Sequence, residues 1–249
     1  MYHSPRSLAH AYQSDGGVFD YACSPSLFLG RAGLGPLRVW WDTSVLIDWG
    51  EFGHDILDGK ELQVAHLPEE YAEDVEALAV LMDPLWMTRD LRIRVSDRQL
   101  SDAKKPLGGE RQELRERQIR EIIAALECIA LDLDNPESNA ADTACDADLS
   151  FIRDTVDRTL VRDAIEAGCH VFLTRDKKHI LRHANRLHEL GLVVLSPMDL
   201  RVELAHSSEL GETFGVDGLV CDNHKWGHLW SAFETQSAGE TRARASARE

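Results

Sequence analysis

Apolar and polar residues along the chain follow two alternating patterns: short apolar runs, and longer stretches in which apolar residues recur every three or four positions. The short runs are typical of buried strands, and the longer stretches are typical of amphipathic helices. The predicted strands cover Leu37–Trp41, Leu91–Val95, His170–Thr174 and Leu192–Leu195. Because strands that alternate with helices form parallel sheets, the pattern predicts a three-layer α/β/α fold with a central parallel sheet of about four strands.

The predicted helices lie between and after these strands. They cover 43–49, 69–82, 96–104, 109–131, 151–168, 177–189 and 197–204. Ser96 is predicted to cap the third of them with its hydroxyl. In the fifth, Asp157 heads the apolar face that Leu160, Val161 and Ala164 form. Burying a carboxylate costs free energy unless a positive charge meets it, so Asp157 is a candidate functional residue.

Composition divides the chain into three parts. Residues 1–36 are rich in Gly, Ser and Pro without sustained periodicity, which predicts a flexible N-terminal extension. Residues 37–206 carry the strand and helix pattern of one domain, although residues 50–67 are polar and show no clear pattern. Residues 207–249 have a weaker apolar pattern, which predicts a partly disordered C-terminal tail.

The formal net charge is −16, from 43 acidic and 27 basic residues. This charge opposes binding to a nucleic-acid backbone in bulk, but it is compatible with a nuclease whose clustered carboxylates hold divalent cations. The stretches Arg111–Arg120 and Lys177–Arg186 are candidate basic rims for a substrate, and the alternative interpretation of each is a solvated helix face. Five scattered cysteines, no apolar run near the ~20 residues of a membrane helix and no secretory signal predict a cytoplasmic protein without membrane contact.

Four aspartates lie where the predicted topology brings them to one edge of the sheet. Asp42 directly follows the first strand, Asp102 lies in the short helix after the second, Asp157 precedes the third and Asp176 follows it. In parallel sheets, sites form at the carboxyl ends of the strands. Each aspartate also has an ordinary interpretation, as a helix cap, a surface acid or a charge that favours a helix N-terminus. Four clustered carboxylates repel one another, and a bound divalent cation, which prefers oxygen ligands, usually offsets this repulsion.

The stretches WDTSVLIDW, VSDRQLSDA, DRTLVRDAIEAG and VFLTRD, in this order, resemble the PIN domain, a family of metal-dependent ribonucleases. The resemblance covers about Leu37 to Leu204. Asp42 and Ser44 match the family's aspartate after the first strand and the small hydroxyl residue that follows it. Asp157 matches the acid at the head of a helix that runs to a glycine.

The T-x-D ending, formed by Thr174 and Asp176, is the most specific match to the family. Asp102 is the weakest match, because the family usually has Glu at that position. The spacing between the first two acids is longer than in typical members, which implies an insertion at about residues 50–86. Asp154, one turn before Asp157 in the predicted helix, is a candidate ligand or supporting group, whereas Asp163 lies off the apolar face and is expected to be solvated.

The resemblance implies hydrolysis of RNA phosphodiester bonds by Mg²⁺ or Mn²⁺ ions that the four aspartates bind, with Ser44, Thr174 and Asp154 in supporting roles. Many relatives are toxins of toxin–antitoxin pairs, so an antitoxin-like protein and a homodimer are candidate partners. The alternative is a PIN-like fold that has lost catalysis and serves as an interaction or scaffold module. Cys221, His224 and His228 supply three of the four ligands that a structural zinc site needs, so a zinc site is set aside.

Overall fold

The computed structural model of this 249-residue chain describes residues 25–29, 37–58, 60–82, 91–103, 110–133 and 147–206. In order, these residues form α1 (Pro25–Phe28), β1 (Leu37–Trp41), α2 (Thr43–Leu57), α3 (Glu69–Leu81), β2 (Leu91–Arg94), α4 (Arg98–Ala103), α5 (Glu110–Leu133), α6 (Thr155–Glu166), β3 (Val171–Leu173), a 3₁₀ turn (Leu181–His183), α7 (Ala184–Glu189), β4 (Val193–Leu195) and α8 (Pro197–His206). The predicted tail over 207–249, with Cys221, His224 and His228, lies outside the described residues.

The four strands form one parallel sheet in the order β2-β1-β3-β4. Val39 of β1 is in register with Ile93 of β2 and with Val171 of β3, so β1 is a central strand. Helices cover both faces of the sheet, and the predicted three-layer α/β/α fold is confirmed. The chain adds β2 on one side of β1, and β3 and β4 on the other. The strand order therefore reverses between β1 and β3, and ligands of open α/β sheets bind at such a switch point.

Successive residues of β1 face opposite sides of the sheet, so Trp40 and Trp41 belong to different cores. Trp41 packs in the first core, among apolar residues of α2, α3, α5 and α8, and meets Trp49 of α2 edge to face with ring centroids 6.2 Å apart. Trp40 packs in the second core, among apolar residues of α6 and α7. The two cores pack helices against both faces of the sheet. This packing holds in place the edge formed by the carboxyl ends of the strands, where the predicted site lies.

The first core also contains α1, which is part of the predicted N-terminal extension. Its Leu27 and Phe28 are 0 % and 3 % exposed. Within residues 1–36, the structure describes Pro25–Leu29. In this segment, two adjacent apolar side chains attach the chain to the domain that follows.

α2 continues past its predicted end at Trp49 as far as residue 57. The polar character of residues 50–67 concealed the continuation, but Phe52 and Ile56 extend the apolar stripe that begins at Val45. The first part of the stretch that the resemblance assigns to an insertion is therefore the second half of the helix that starts at the site.

Two glycines of α2 differ in the space around them, which predicts opposite effects of alanine. A Cβ at Gly50 would lie 3.6 Å from Ile122, whereas a Cβ at Gly53 would lie 2.9 Å from ring atoms of the buried Trp49. We expect Gly50→Ala to raise the free energy of unfolding by about 0.5–1 kcal/mol, because alanine favours a helix more than glycine does. We expect Gly53→Ala to lower it by about 1–3 kcal/mol, because the Trp49 ring would have to shift within a packed core. Urea unfolding of both variants checks this, and shifts of the same sign would contradict it.

None of the helices in the described part of the chain combines the length and the apolar character that crossing a membrane requires.

Candidate metal centre at the switch point

Asp42 lies at the carboxyl end of β1 and caps α2. Its Oδ1 accepts a hydrogen bond from the N–H of Thr43 at 2.7 Å, and its Oδ2 accepts bonds from the hydroxyls of Ser44 at 2.8 Å and Thr174 at 2.6 Å. The residue is buried, with 6 % of its surface exposed. Asp42 therefore acts as the helix cap that one interpretation predicted, and it also joins β1 to the end of β3. The two hydroxyl residues predicted to support the site, Ser44 and Thr174, both contact it.

The backbone after β3 is held against α2 and β1 at successive residues. Thr174, which is fully buried, donates to Asp42 and accepts from the N–H of Asp176 at 3.0 Å. The N–H of Arg175 donates to the Ser44 hydroxyl at 3.2 Å. The Thr174 hydroxyl of the T-x-D ending thus bonds both the carboxylate of Asp42 and the backbone N–H of Asp176.

Asp176 organises the turn that leads out of β3. Its Oδ1 accepts bonds from the N–H groups of Lys178 and His179, each at 2.9 Å, and its Oδ2 lies 2.8 Å from Nδ1 of His179. Burial acts to raise the pKa of Asp176, but the hydrogen bonds from His179 and Lys178 outweigh burial and lower the pKa below its ordinary value. The bonds to Lys178 and His179 follow the pattern of a helix cap, but turns and a 3₁₀ segment follow Asp176, so the prediction that an α-helix starts at Lys177 is wrong and α7 begins at Ala184.

Asp157 is the third residue of α6, and Asp154 is the N-cap of that helix. Oδ1 of Asp154 accepts bonds from the N–H of Val156 at 2.7 Å and from that of Asp157 at 3.4 Å. The predicted helix start at Phe151 is wrong, because the backbone of Asp154 is extended and its side chain satisfies the first N–H groups of α6. Asp154 therefore fixes the first turn of α6, the turn that carries Asp157. Asp157 is 8 % exposed and shares the buried face of Leu160, as its position in the stripe predicted.

Asp157, Asp176 and His179 come together beside the end of β3. One carboxylate oxygen or ring nitrogen from each of the three lies within 4.8 Å of the other two. We call these three residues the acid–histidine group. Asp42 is not one of its members, but it is linked to Asp176 through the hydroxyl of Thr174. The structure thus brings two of the four predicted acids into one group and places a third next to it.

His179 is the member of the group that the sequence pattern did not single out. One feature of the sequence could have found it: His179 lies three residues after Asp176, and a turn or a helix brings residues at that spacing to the same side. The fourth predicted acid, Asp102, lies in the short helix α4 as expected. The side chain of Asp102 is outside the described part of the structure.

Gln99 fastens α4 to the end of β1. It is 0 % exposed, its Nε2 donates to the carbonyl of Trp41, and its Oε1 accepts from the N–H of Ser96 at 2.9 Å. The prediction that Ser96 caps α4 with its hydroxyl is wrong, because that buried oxygen has no hydrogen-bond partner among the described residues. Gln99 bonds back to the start of the helix instead, and thereby holds the helix that carries Asp102 against the residue before Asp42.

A buried ion pair adjoins the turn of Asp176. Nη2 of Arg175 donates to Oδ1 of Asp48 at 2.6 Å, and its Nε donates to Oδ2. The hydroxyl of Tyr71 donates to Oδ1 of Asp48 at 2.8 Å, and the guanidinium carbon of Arg175 lies 3.8 Å from the centre of the Tyr71 ring. Asp48, in α2, is 0 % exposed. We call Asp48, Tyr71 and Arg175 the arginine clamp. The sequence pattern did not predict that these three residues would meet.

The buried carboxyl of the clamp predicts a specific dependence of stability on pH. Burial raises the pKa of Asp48 from 3.8 to about 6, and Arg175 and Tyr71 offset only part of that effect. Because the folded chain then holds this proton more tightly than the unfolded chain, the contribution of Asp48 to stability is lost as pH rises from about 4 through 6. We expect the free energy of unfolding of the wild type, minus that of Asp48→Asn, to be larger at about pH 4.5 than at about pH 7.5. Urea titrations at both pH values measure the difference, in which other titrating groups cancel, and an increase with pH would contradict the prediction.

Asp163 lies off the buried face of α6, as predicted, but it is only partly solvated. Its side chain is 16 % exposed and pairs with Nη1 of Arg98 at 2.7 Å. Burial raises the pKa of Asp163, and the Arg98 charge offsets part of the increase. The helical phase placed Asp163 off the apolar face, but it could not show that α4 lies beside α6 and supplies a cation.

The residues at the switch point therefore combine carboxylates, one imidazole and two hydroxyl groups that hydrogen-bond to Asp42. Carboxylate oxygens and imidazole nitrogens are ligands of divalent metal ions, and carboxylates can also cap helices and turns without an ion. Comparison of the chain with protein-family models, with curated proteins and with solved structures found no match.

Proposed function

We propose that the chain is a PIN-type endoribonuclease that hydrolyses RNA phosphodiester bonds with bound Mg²⁺ or Mn²⁺. The observation that carries the proposal is the convergence of Asp157, Asp176 and His179 at the carboxyl end of a central strand, next to the switch point of the sheet. Two of these three residues belong to the motifs that resemble the PIN domain. The link from Asp176 through Thr174 to Asp42 adds the first acid of that pattern to the same edge.

The acid–histidine group is compact, and a bound ion would replace the hydrogen bond between Nδ1 of His179 and Oδ2 of Asp176, which at 2.8 Å are closer than two ligands of one ion. An ion about 2.1–2.4 Å from each ligand spaces its neighbouring ligands about 3–4.5 Å apart. The three candidate ligand atoms lie within 4.8 Å of one another. Carboxylates suit Mg²⁺ and Mn²⁺, and the imidazole of His179 favours a transition-metal ion such as Mn²⁺ over Mg²⁺. Asp157, Asp176 and His179 would hold the ion, and the resemblance adds Asp42 and Asp102 as further ligands.

A bound ion would supply a water of lowered pKa and a positive charge beside the phosphate. Neighbouring residues of the chain hold the proposed ligands Asp42 and Asp157 in place. Asp42 is fixed by three donors, so its charge stays near the site without a change of rotamer. Asp154 orders the first turn of α6 and so limits the motion of Asp157.

Binding of an RNA substrate would depend on a basic rim that follows Asp176 in sequence. Lys177, Lys178, Arg182 and Arg186 add four positive charges over residues 177–186, which contain no acid. All four side chains are exposed, and the guanidinium carbon of Arg186 lies 4.6 Å from the ring centre of Phe151. Basic side chains attract the phosphates of RNA. In a chain with a net charge of −16, this rim offers RNA a favourable approach to the acid–histidine group.

Incubating the full chain with a mixed pool of RNA tests the proposal directly. We expect cleavage with Mn²⁺ that a chelator abolishes, and no cleavage of single-stranded DNA of the same length. A preparation that is folded by circular dichroism and cleaves no RNA with any divalent ion would overturn the proposal.

Mn²⁺ is also expected to raise the melting temperature. An ion that binds the folded chain alone stabilises it by about 2.7 kcal/mol when its concentration is 100 times its Kd. Differential scanning fluorimetry in millimolar Mn²⁺ measures the shift for the wild type, Asp157→Asn and the control Asp163→Asn. The shift should be absent in Asp157→Asn and normal in Asp163→Asn. Equal shifts in all three proteins would place the ion elsewhere.

The bonds that the acids already make favour a second candidate function. Asp42 accepts bonds from three protein donors, and Asp176 accepts bonds from two backbone N–H groups. Carboxylates with these partners can be structural caps in a PIN-like interaction or scaffold module that has lost catalysis. Its partner would be an antitoxin-like protein or a second copy of the chain. The RNA assay separates the two functions, because only the ribonuclease requires Mn²⁺ to cleave RNA.

A further inference from the structure

We propose that Arg175 is a positioning residue for Asp176, and that Asp48 and Tyr71 hold Arg175 in the orientation that this role requires. The inference rests on the proposed function of Asp176 as a metal ligand. It assigns a role to the arginine clamp, which neither the resemblance nor the acid–histidine group accounts for.

The segment from Thr174 to Asp176 is fixed at several points. The Thr174 hydroxyl donates to Asp42 and accepts from the N–H of Asp176, and the N–H of Arg175 donates to Ser44. These bonds fix the backbone near β1. The side chain of Arg175 adds the further anchor to Asp48, one turn after Ser44 in α2.

The side chains of Arg175 and Asp176 contact helices of different layers. Arg175 contacts Asp48 of α2 and Tyr71 of α3, two helices that pack in the first core. Asp176 extends toward Asp157 of α6, which packs in the second core. Adjacent residues of one segment therefore reach to opposite layers across the edge of the sheet. A displacement of Arg175 would be transmitted through one peptide unit to Asp176.

Several contacts within the clamp restrict the motion of Arg175. A carboxylate with 0 % exposure is costly unless its lone pairs are satisfied, and Asp48 receives two donors from Arg175 and one from Tyr71. The planar guanidinium also lies over the Tyr71 ring at 3.8 Å, which restricts its rotation. Metal sites need ligands held within about 0.5 Å, and losing a group that orients a ligand typically weakens metal binding about 10–100-fold.

A neighbouring ion pair provides a matched control. Lys177 contacts Glu70, so it also joins the turn after β3 to α3, but the two side chains are 57 % and 79 % exposed. Exposed pairs contribute little to fixed geometry because water screens them and both side chains retain freedom. Glu70→Gln removes the negative charge of this pair one residue before Tyr71 and changes no residue of the clamp.

The experiment measures the Kd of the full chain for Mn²⁺ by isothermal titration calorimetry, for the wild type, Asp48→Asn, Tyr71→Phe and Glu70→Gln. We expect Asp48→Asn to weaken Mn²⁺ binding about tenfold, Tyr71→Phe about threefold because it loses one hydrogen bond to Asp48, and Glu70→Gln to match the wild type. Melting temperatures without metal, taken in the same preparations, separate a loss of fold from a loss of metal affinity. Weakened binding in a variant that remains folded supports positioning, which a merely structural pair would not predict.

Two failures have different meanings. If the wild type binds no Mn²⁺, the proposed function falls and this inference falls with it. If the wild type binds Mn²⁺ and folded Asp48→Asn binds it equally well, the positioning role alone is overturned. Should Asp48→Asn not fold, Tyr71→Phe decides, because it keeps the ion pair, and unchanged affinity in that variant would overturn the inference.

Discussion

Replacing Asp157 or Asp176 by asparagine is expected to lower the rate of Mn²⁺-dependent RNA cleavage about 10²–10⁴-fold. A divalent ion contributes several kcal/mol of charge stabilisation in a phosphoryl-transfer reaction, and each ~1.36 kcal/mol is a factor of ten in rate. Removing one of two charged ligands from the acid–histidine group should forfeit most of that contribution. Asparagine keeps the size of the side chain and one acceptor oxygen, so the fold should remain. Single-turnover cleavage of a defined RNA at saturating Mn²⁺ measures the effect.

The matched control is Asp163→Asn. Asp163 lies on α6 like Asp157, its side chain is mostly buried, and it bonds to Arg98. Its replacement removes an aspartate of the same helix without touching the acid–histidine group. We expect its cleavage rate to stay near that of the wild type. Wild-type rates in Asp157→Asn and Asp176→Asn, or an equal loss in Asp163→Asn, would refute the assignment of the metal site.

The sheet and the places of the aspartates follow from features that are local in sequence. Short apolar runs between amphipathic stretches allow few arrangements other than a covered parallel sheet, and the carboxyl ends of its strands must then share an edge. Asp42 and Asp176 were placed at that edge by their distance from the ends of apolar runs alone. The structure adds that one threonine hydroxyl, that of Thr174, lies between them.

Two helices begin later than the apolar pattern predicts. Asp154 bonds to the first N–H groups of α6, and Asp176 bonds to the N–H groups of Lys178 and His179. The bonds of Asp154 begin α6 at Thr155 rather than at Phe151, whereas the same pattern of bonds at Asp176 leads into turns and a 3₁₀ segment instead of an α-helix. The bonds that Asp176 accepts within its turn also hold His179 beside it.

The arginine clamp could not be found from spacing at all. Arg175 and Asp48 are 127 residues apart in sequence, and Asp48 and Tyr71 are 23 apart. An Asp in an amphipathic helix and an Arg after a strand are each ordinary on the surface, and only the packing of α2 and α3 beside the end of β3 buries them together. Sequence reasoning predicts which residues lie near the edge, whereas tertiary packing decides which charges lose their water.

Breaking the clamp from one side is expected to cost more stability than removing it entirely. At about pH 8, Asp48 is ionised because its pKa is about 6. Arg175→Met would leave the Asp48 carboxyl buried without its cation, which costs at most about 3–5 kcal/mol, because loss of Arg175 raises the pKa of Asp48 further and lets the carboxyl take up a proton. The double variant Asp48→Leu/Arg175→Met replaces the pair by apolar side chains and should recover most of the loss, because a buried ion pair often contributes no more than a packed apolar pair. Asp48→Leu alone should cost less than Arg175→Met, since the Arg175 side chain is 21 % exposed and can reach water.

Urea unfolding of the four proteins gives the coupling energy between the two positions, and additive losses would contradict the buried-pair account. The same double variant separates stability from positioning. If the clamp serves only the fold, recovery of stability should restore Mn²⁺ affinity as well. If it orients Asp176, the double variant should unfold at nearly the wild-type urea concentration and still bind Mn²⁺ weakly, because leucine and methionine do not fix the segment from Thr174 to Asp176 as a bidentate ion pair does.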